Sequence, residues 1–214
     1  MFKYLRFKTF QFLLKPISDY FRSIRMRRFM RFIESIESEI NIIDLGGQPQ
    51  IWDFITRPLN ITIVNLPGIA AQKHHTIHNI IYVDGNACNL IDFKDREFEI
   101  AFSNSVIEHV GDDEQVKLFA SEANRVGKRV WIQTPSKYFP LEPHTGMLFW
   151  WYYPPKLREA IFSRWQKKLP AWTDSMRETR YITRDQLAGL FPDCHIVTER
   201  FLGFPKSYIV YSNN

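Results

Sequence analysis

Cysteine is scarce in this 214-residue chain: Cys88 and Cys194 are the only two, and no spacing pairs them. That argues against a disulfide framework and a cysteine-based zinc site, and it fits a reducing, cytoplasmic compartment. Long hydrophobic runs are also missing, since none reaches the roughly 18 residues of a membrane-spanning helix. Lys3, Arg6, Lys8 and Lys15 interrupt the apolar N-terminus, so it lacks the unbroken core of a signal peptide. There is no GxGxxG loop and no GxxxxGK(S/T) loop, which leaves a dinucleotide or a nucleoside triphosphate poorly supported. Repeats and low-complexity tracts are absent as well.

What is present suits a globular domain with an appendage. Hydrophobic residues make up 45% of the chain, too many for a disordered one. The net charge of +5 hides an asymmetry. Residues 1–33 hold nine basic residues against one acid, Asp19, a net of +8, and the other 181 residues carry −3. The body is therefore mildly acidic, and no nucleic-acid partner is expected. Apolar residues at helical spacing predict a helical extension over 1–39, divided or kinked at Pro16. That basic, amphipathic extension has two readings. It can pack on the domain as a lid or homodimer element, or it can lie on an anionic membrane at the inner surface.

From residue 40 onward, strand-like runs (42–45, 61–65, 80–84, 98–103, 129–133, 194–199, 207–211) alternate with helical or loop segments. Segment 112–126 has acids in its first turn and Gly127 after its end, and Thr183 with Gln186 forms a capping box for a helix over 183–191. The pattern predicts an α/β fold. Its sheet is Rossmann-like, seven-stranded and mostly parallel, with helices on both faces and an antiparallel last strand. Residues 135–180 interrupt the rhythm with four tryptophans and six prolines, and read as an aromatic-rich substrate or lid insertion within a main domain of residues 40–214. A helix is expected over 156–168 within it.

Ligands of open parallel sheets bind at the carboxyl ends of the strands. The first strand there ends DLGG, and Gly46 and Gly47 let backbone N–H groups face a ligand. Asn65, ending the second strand, can hold ribose hydroxyls or cap the turn before Pro67. Asp84, ending the third, can accept from an adenine amino group, with Gly85 allowing close approach. Ser103 and Asn104 end the fourth.

This order of parts (DLGG, IVNLP, VDGNA, SNSVIEHV, KRVWIQTP) resembles class I S-adenosylmethionine-dependent methyltransferases of the type 11-like kind, over roughly residues 40–212. The resemblance implies S-adenosylmethionine as cofactor. Asp44, Gly46 and Gly47 would hold its methionine end, Asn65 its ribose, and Asp84 with Asn86 its adenine. Ser103 and Asn104 would lie near the sulfonium. Two departures bear on cofactor affinity: GGQPQ lacks the usual third glycine, and Asn65 replaces an acid. VIEHV is also similar to a phrase in quinone-biosynthesis O-methyltransferases that can hold a metal. Ser105 stands where one of those acids would be, so no metal is expected, and Glu108 and His109 are read as pocket or cap residues.

The stretch TPSKYFPLEPHTGMLFWWYYPP resembles a subgroup found in sugar, surface-polysaccharide and natural-product pathways. It supplies the acceptor side. His144 is the expected general base, oriented by Glu142, with His109 the second choice. Trp150, Trp151 and Tyr152 can stack on an acceptor or pack the lid. His74 and His75 read as solvated. The expected activity is methyl transfer to a hydroxyl of a glycan, glycolipid or small metabolite. The rival is a cofactor-decayed partner subunit. A nucleic-acid methyltransferase is disfavoured, because no (D/N)PP(Y/F/W) follows the fourth strand.

Overall fold

The computed structural model describes residues 2–34, 36, 39–69 and 74–213, with side chains from residue 16 onward except residue 17. All seven expected strands form: β1 (Asn41–Leu45), β2 (Asn60–Asn65), β3 (Asn79–Asp84), β4 (Phe98–Asn104), β5 (Gly127–Pro135), β6 (Cys194–Phe201) and β7 (Phe204–Ser212). They make one sheet in the order β3-β2-β1-β4-β5-β7-β6. Neighbours from β3 to β5 are parallel, and β7 runs antiparallel to both β5 and β6. Strand order reverses between β1 and β4, which opens a crevice at their carboxyl ends.

Each central strand feeds two cores, because side chains alternate across a strand. Ile43, Leu45, Ala101 and Ile132 face α2 (Asp113–Val126) and α5 (Arg184–Leu190). α2 follows from its sequence. Asp112 caps it by accepting from the Gln115 N–H at 3.0 Å, and Phe119, Ala123 and Val126 form its buried stripe. The Thr183–Gln186 capping box opens α5 as expected.

Ile42, Ile100, Phe102 and Trp131 face the other way, onto α1 (Phe2–Glu34). Of the two readings of the extension, its described side chains take the packed one. Met26, Phe29, Phe32 and Ile33 are buried, and the Phe29 ring lies 5.2 Å from both Phe102 and Trp131. The apolar stripe from Phe21 to Ile33 is thus occupied by the domain, while Arg27, Arg28 and Arg31 point to solvent. The helix runs through Pro16 without dividing, and the side chains of Lys3, Arg6, Lys8 and Lys15 lie outside the described residues. Among the described residues, no helix is long and apolar enough to cross a membrane.

The segment after β5 carries a 3-10 turn (Trp150–Tyr152), α3 (Pro155–Gln166) and α4 (Pro170–Glu178). Trp150 stacks on Trp165 at 5.5 Å, and Trp165 meets Trp172 at 5.1 Å. α4 is not legible in the sequence, since PAWTDSMRE buries only Thr173 and Met176.

Phe29→Ala is expected to lower the unfolding free energy by about 3–5 kcal/mol in denaturant titration, because it empties the joint between helix and sheet. Tyr20→Ala, at a ring 59% exposed on the same helix, should change it by less than about 0.5 kcal/mol.

Candidate active site

The crevice at the strand reversal is a cavity of about 430 Å³. Its walls come from four places: Arg22 and Arg25 of α1, the turn Asp44 to Gln48, the β4 and β5 ends with Asn104, Ser105 and Gln133, and Pro143, His144, Lys206 and Ser207.

The turn after β1 needs both glycines. Gly46 has φ +75°, and a Cβ there would stand 2.6 Å from the Val106 side chain. A Cβ on Gly47 would overlap the Asp44 carboxylate, 1.9 Å from Oδ2. The Gly46 N–H is engaged by the Val64 carbonyl at 2.8 Å, so it continues the sheet rather than facing the cavity. The feature aimed at a ligand is Asp44 itself. It is fully buried, accepts from Trp52 Nε1 through Oδ2 at 2.9 Å, and leaves Oδ1 without a partner. Burial pushes its pKa up to about 7, against the smaller opposing pull of the Trp52 hydrogen bond.

The lining also includes basic side chains. Arg25 is buried, donates to Glu199 Oε2 at 2.7 Å and to Asn104 Oδ1 at 2.5 Å. Lys206 sits 4.3 Å from the Phe21 ring centroid. Its pKa is lowered to about 8 by burial and by the charge of Arg25, with Glu199 pulling the other way. Arg22 joins this lining from α1. Ser105 adds a strained backbone, φ +58°, with its hydroxyl donating to Gln133 Oε1 at 2.9 Å.

At the cavity edge the insertion meets the turn after β4. His144 Nδ1 donates to Glu142 Oε1 at 2.7 Å, and its Nε2 lies 3.1 Å from His109 Nε2. Burial works against the charge on His144, but the hydrogen bond and charge of Glu142 prevail and raise its pKa above the ordinary histidine value. His109 moves the other way, down to about 4, through burial and the charge of His144. Burial raises Glu108 to about 7; its Oε2 accepts from the Thr134 hydroxyl at 3.0 Å and its Oε1 is unpartnered. These three residues have ligand atoms within 4.8 Å of one another, a set able to hold a cation.

Among the expected site residues, Asp44, Gly46, Gly47, Asn104 and His144 line the cavity together. Asn65 and Asp84 lie opposite one another in the β2–β3 register, farther along the strand ends. Asn65 donates to the Gly47 carbonyl at 3.1 Å, and Asp84 is exposed. Gly85 closes its turn by donating to the Asn65 carbonyl, and the Asn86 side chain accepts from the Cys88 N–H. Two expectations need correction. Ser103 is fully buried and donates to the Leu45 carbonyl at 3.0 Å, so it ties β4 to β1 instead of facing a ligand. Trp150 is 2% exposed within the insertion's aromatic cluster, which leaves no face for an acceptor. Trp151 packs on Tyr181, Tyr152 is exposed, and neither lines the cavity. Sequence reasoning missed Arg25, although a signal was there: it falls four residues from both Phe21 and Phe29, inside the buried stripe. Lys206 carried no such signal.

Asp44 makes stability depend on pH in a readable way. The folded protein keeps its proton up to about pH 7, while an unfolded aspartate releases it near about pH 4. Between those values the folded state binds more protons, so this group's contribution falls as pH rises. Asp44→Asn should remove that slope. In urea denaturation, the stability of the variant relative to wild type should climb from pH 4 to 7 and then level off, and a constant offset would contradict this account.

A family model described as a methyltransferase domain matches residues 60–129, about a third of the chain, from β2 into β5. No curated protein matches the sequence. Among solved structures, a SAM-dependent methyltransferase from Archaeoglobus fulgidus is similar at TM-score 0.53 and 12% identity, covering 90% of this chain and 94% of that one. A Thermotoga maritima SAM-dependent methyltransferase, described as a possible histamine N-methyltransferase, has TM-score 0.51 and 13% identity, covering 95% and 100%. The CurJ carbon methyltransferase has TM-score 0.55 and 10% identity, covering 89% of this chain, which spans 53% of that structure's length. The chain has the Rossmann-like fold of SAM-dependent methyltransferases.

Proposed function

We propose that this protein is an S-adenosylmethionine-dependent methyltransferase that methylates a hydroxyl of an acidic glycan, glycolipid or small metabolite. The observation carrying this reading is the unpartnered, buried Asp44 Oδ1 beside Gly47, in one cavity with His144. A carboxylate oxygen with no partner suits the ammonium of the cofactor's amino-acid end. Arg22, Arg25 and Lys206 in the same lining suit that end's carboxylate and acidic groups on the acceptor. Asn65 and Asp84 continue the strand-end line to which ribose and adenine would extend.

In the transfer, the bond from methyl carbon to sulfur breaks and a bond to the acceptor oxygen forms. When bound, the cofactor would supply the methyl group from its sulfonium and be left as a thioether, while His144, whose Nδ1 is held by Glu142, would take the hydroxyl proton. Alignment in the cavity supplies most of the acceleration, with the base adding about 10²–10⁴-fold. Carbon and nitrogen methyltransferases share this fold. The choice of oxygen rests on the His144–Glu142 pair, which suits an acceptor that must lose a proton.

A second reading, a partner subunit without cofactor, is favoured by the engaged Gly46 N–H and by the Asn65 bond back to Gly47. Calorimetric titration with S-adenosylmethionine and S-adenosylhomocysteine separates the two. One saturable site per chain, weakened by Asp84→Ala, is expected; a folded protein that binds neither ligand supports the partner subunit. With an acceptor in hand, the rate should rise with pH along a limb centred above the ordinary histidine range. Glu142→Gln should move that limb to lower pH and reduce its plateau, because the carboxylate that raises His144 is gone.

A further inference from the structure

The two imidazoles that face each other at the cavity edge pose a problem of protons. Thr179 Oγ1 donates to the Ser175 carbonyl at 3.0 Å, so its one hydrogen is engaged. Toward His109 Nδ1, 3.2 Å away, it can only accept. The His109 proton therefore sits on Nδ1, and Nε2 carries a lone pair. His144 is arranged alike: Nδ1 faces Glu142 Oε1 at 2.7 Å, and a carboxylate only accepts. With one proton each, the rings point two lone pairs at one another across 3.1 Å. A cation is needed between or beside them.

A shared proton answers for the two nitrogens alone. It leaves Glu108 Oε1 fully buried and unpartnered, on a carboxylate that offers an oxygen within 4.8 Å of a ring nitrogen of each histidine. We propose that His109, His144 and Glu108 bind a divalent transition-metal ion at the edge of the cavity. Bonds of about 2.0–2.2 Å set ligand atoms roughly 3.0–3.6 Å apart, and the histidine pair already meets this. The Glu108 carboxylate, starting within 4.8 Å, closes by up to about 1–2 Å. Two imidazoles and one carboxylate favour zinc or manganese over calcium or magnesium. Each ligand is oriented by an outer partner: Thr179 on His109, Glu142 on His144 and Thr134 on Glu108. Ser105, with its hydroxyl on Gln133, stays outside the set. The third ligand comes instead from the insertion, 35 residues beyond His109, so the VIEHV phrase by itself shows only two of the three ligands.

His144 also lines the cavity, so an ion held on its Nε2 would take over from it as the group acting on the acceptor hydroxyl, whose proton would then leave to water. A hydroxyl held there loses its proton more readily. Metal uptake itself does not depend on the cofactor reading and can be measured without either substrate.

The test is calorimetric titration of chelator-treated protein with Zn²⁺ and with Mn²⁺. One site per chain is expected. His109→Ala and His144→Ala should each weaken it by about 100-fold or more, and Glu142→Gln by about 10–100-fold. His74→Ala, at the exposed His74–Asp53 pair, should leave it unchanged. To keep the test independent of how a variant folds, the unmutated protein is also read directly. Zn²⁺ should shift the ¹⁵N resonances of His109 and His144 Nε2 and leave those of His74 and His195 in place. Absence of a saturable site, survival of binding in folded His144→Ala, or shifts confined to other histidines would overturn the proposal.

Discussion

A buried ion pair sets the terms for the rest of the molecule. Arg25 on α1 meets Glu199 on β6 at 2.7 Å, with both side chains about 5% exposed or less. The same guanidinium reaches Asn104 at the end of β4, and Ser207 on β7 donates to Glu199. A charge buried this way is costly unless its partner is in place, so the helix can dock in only one rotation and one height. That rotation puts Phe29 between Trp52, Phe102 and Trp131 and leaves Arg22 facing the cavity. The pair therefore completes the second core and the acceptor wall together.

The cavity it closes is polarised. Asp44 is a protonatable acid under the glycine turn, and Arg22, Arg25 and Lys206 line the same cavity. The lining thus holds an unpartnered acceptor together with basic side chains. A ligand carrying both an ammonium and an anionic group is oriented by this field before any close contact forms.

The fold was legible because its signals are local. Each strand was a short apolar run, and caps such as Asp112 and Thr183 with Gln186 act within four residues. The cofactor side was legible for a related reason: DLGG and Asn104 announce themselves at strand ends, where an open sheet binds ligands. The acceptor side was legible only in part. His144 was visible beside Glu142, but its meeting with His109 depends on how the insertion folds back. Lys206 entered the site through the β6–β7 hairpin, which no local pattern encodes. Trp150 misled because an aromatic run reads alike whether it faces a ligand or its own neighbours, and here Phe162 and Trp165 claim it. Ser103 misled because its face of β4 alternates inward, onto Leu45.

The insertion's aromatic cluster has a consequence for how such a protein can diverge. Trp150, Phe162, Trp165 and Trp172 pack mainly on one another rather than on either face of the sheet. The segment between β5 and α5 thus carries much of its own cohesion while contributing Glu142, His144 and Thr179. Substitutions there can reshape what is recognised without loosening the strand ends on the other side of the cavity. Selection can therefore act on acceptor choice and on the sheet that would hold the methyl donor as two nearly independent traits.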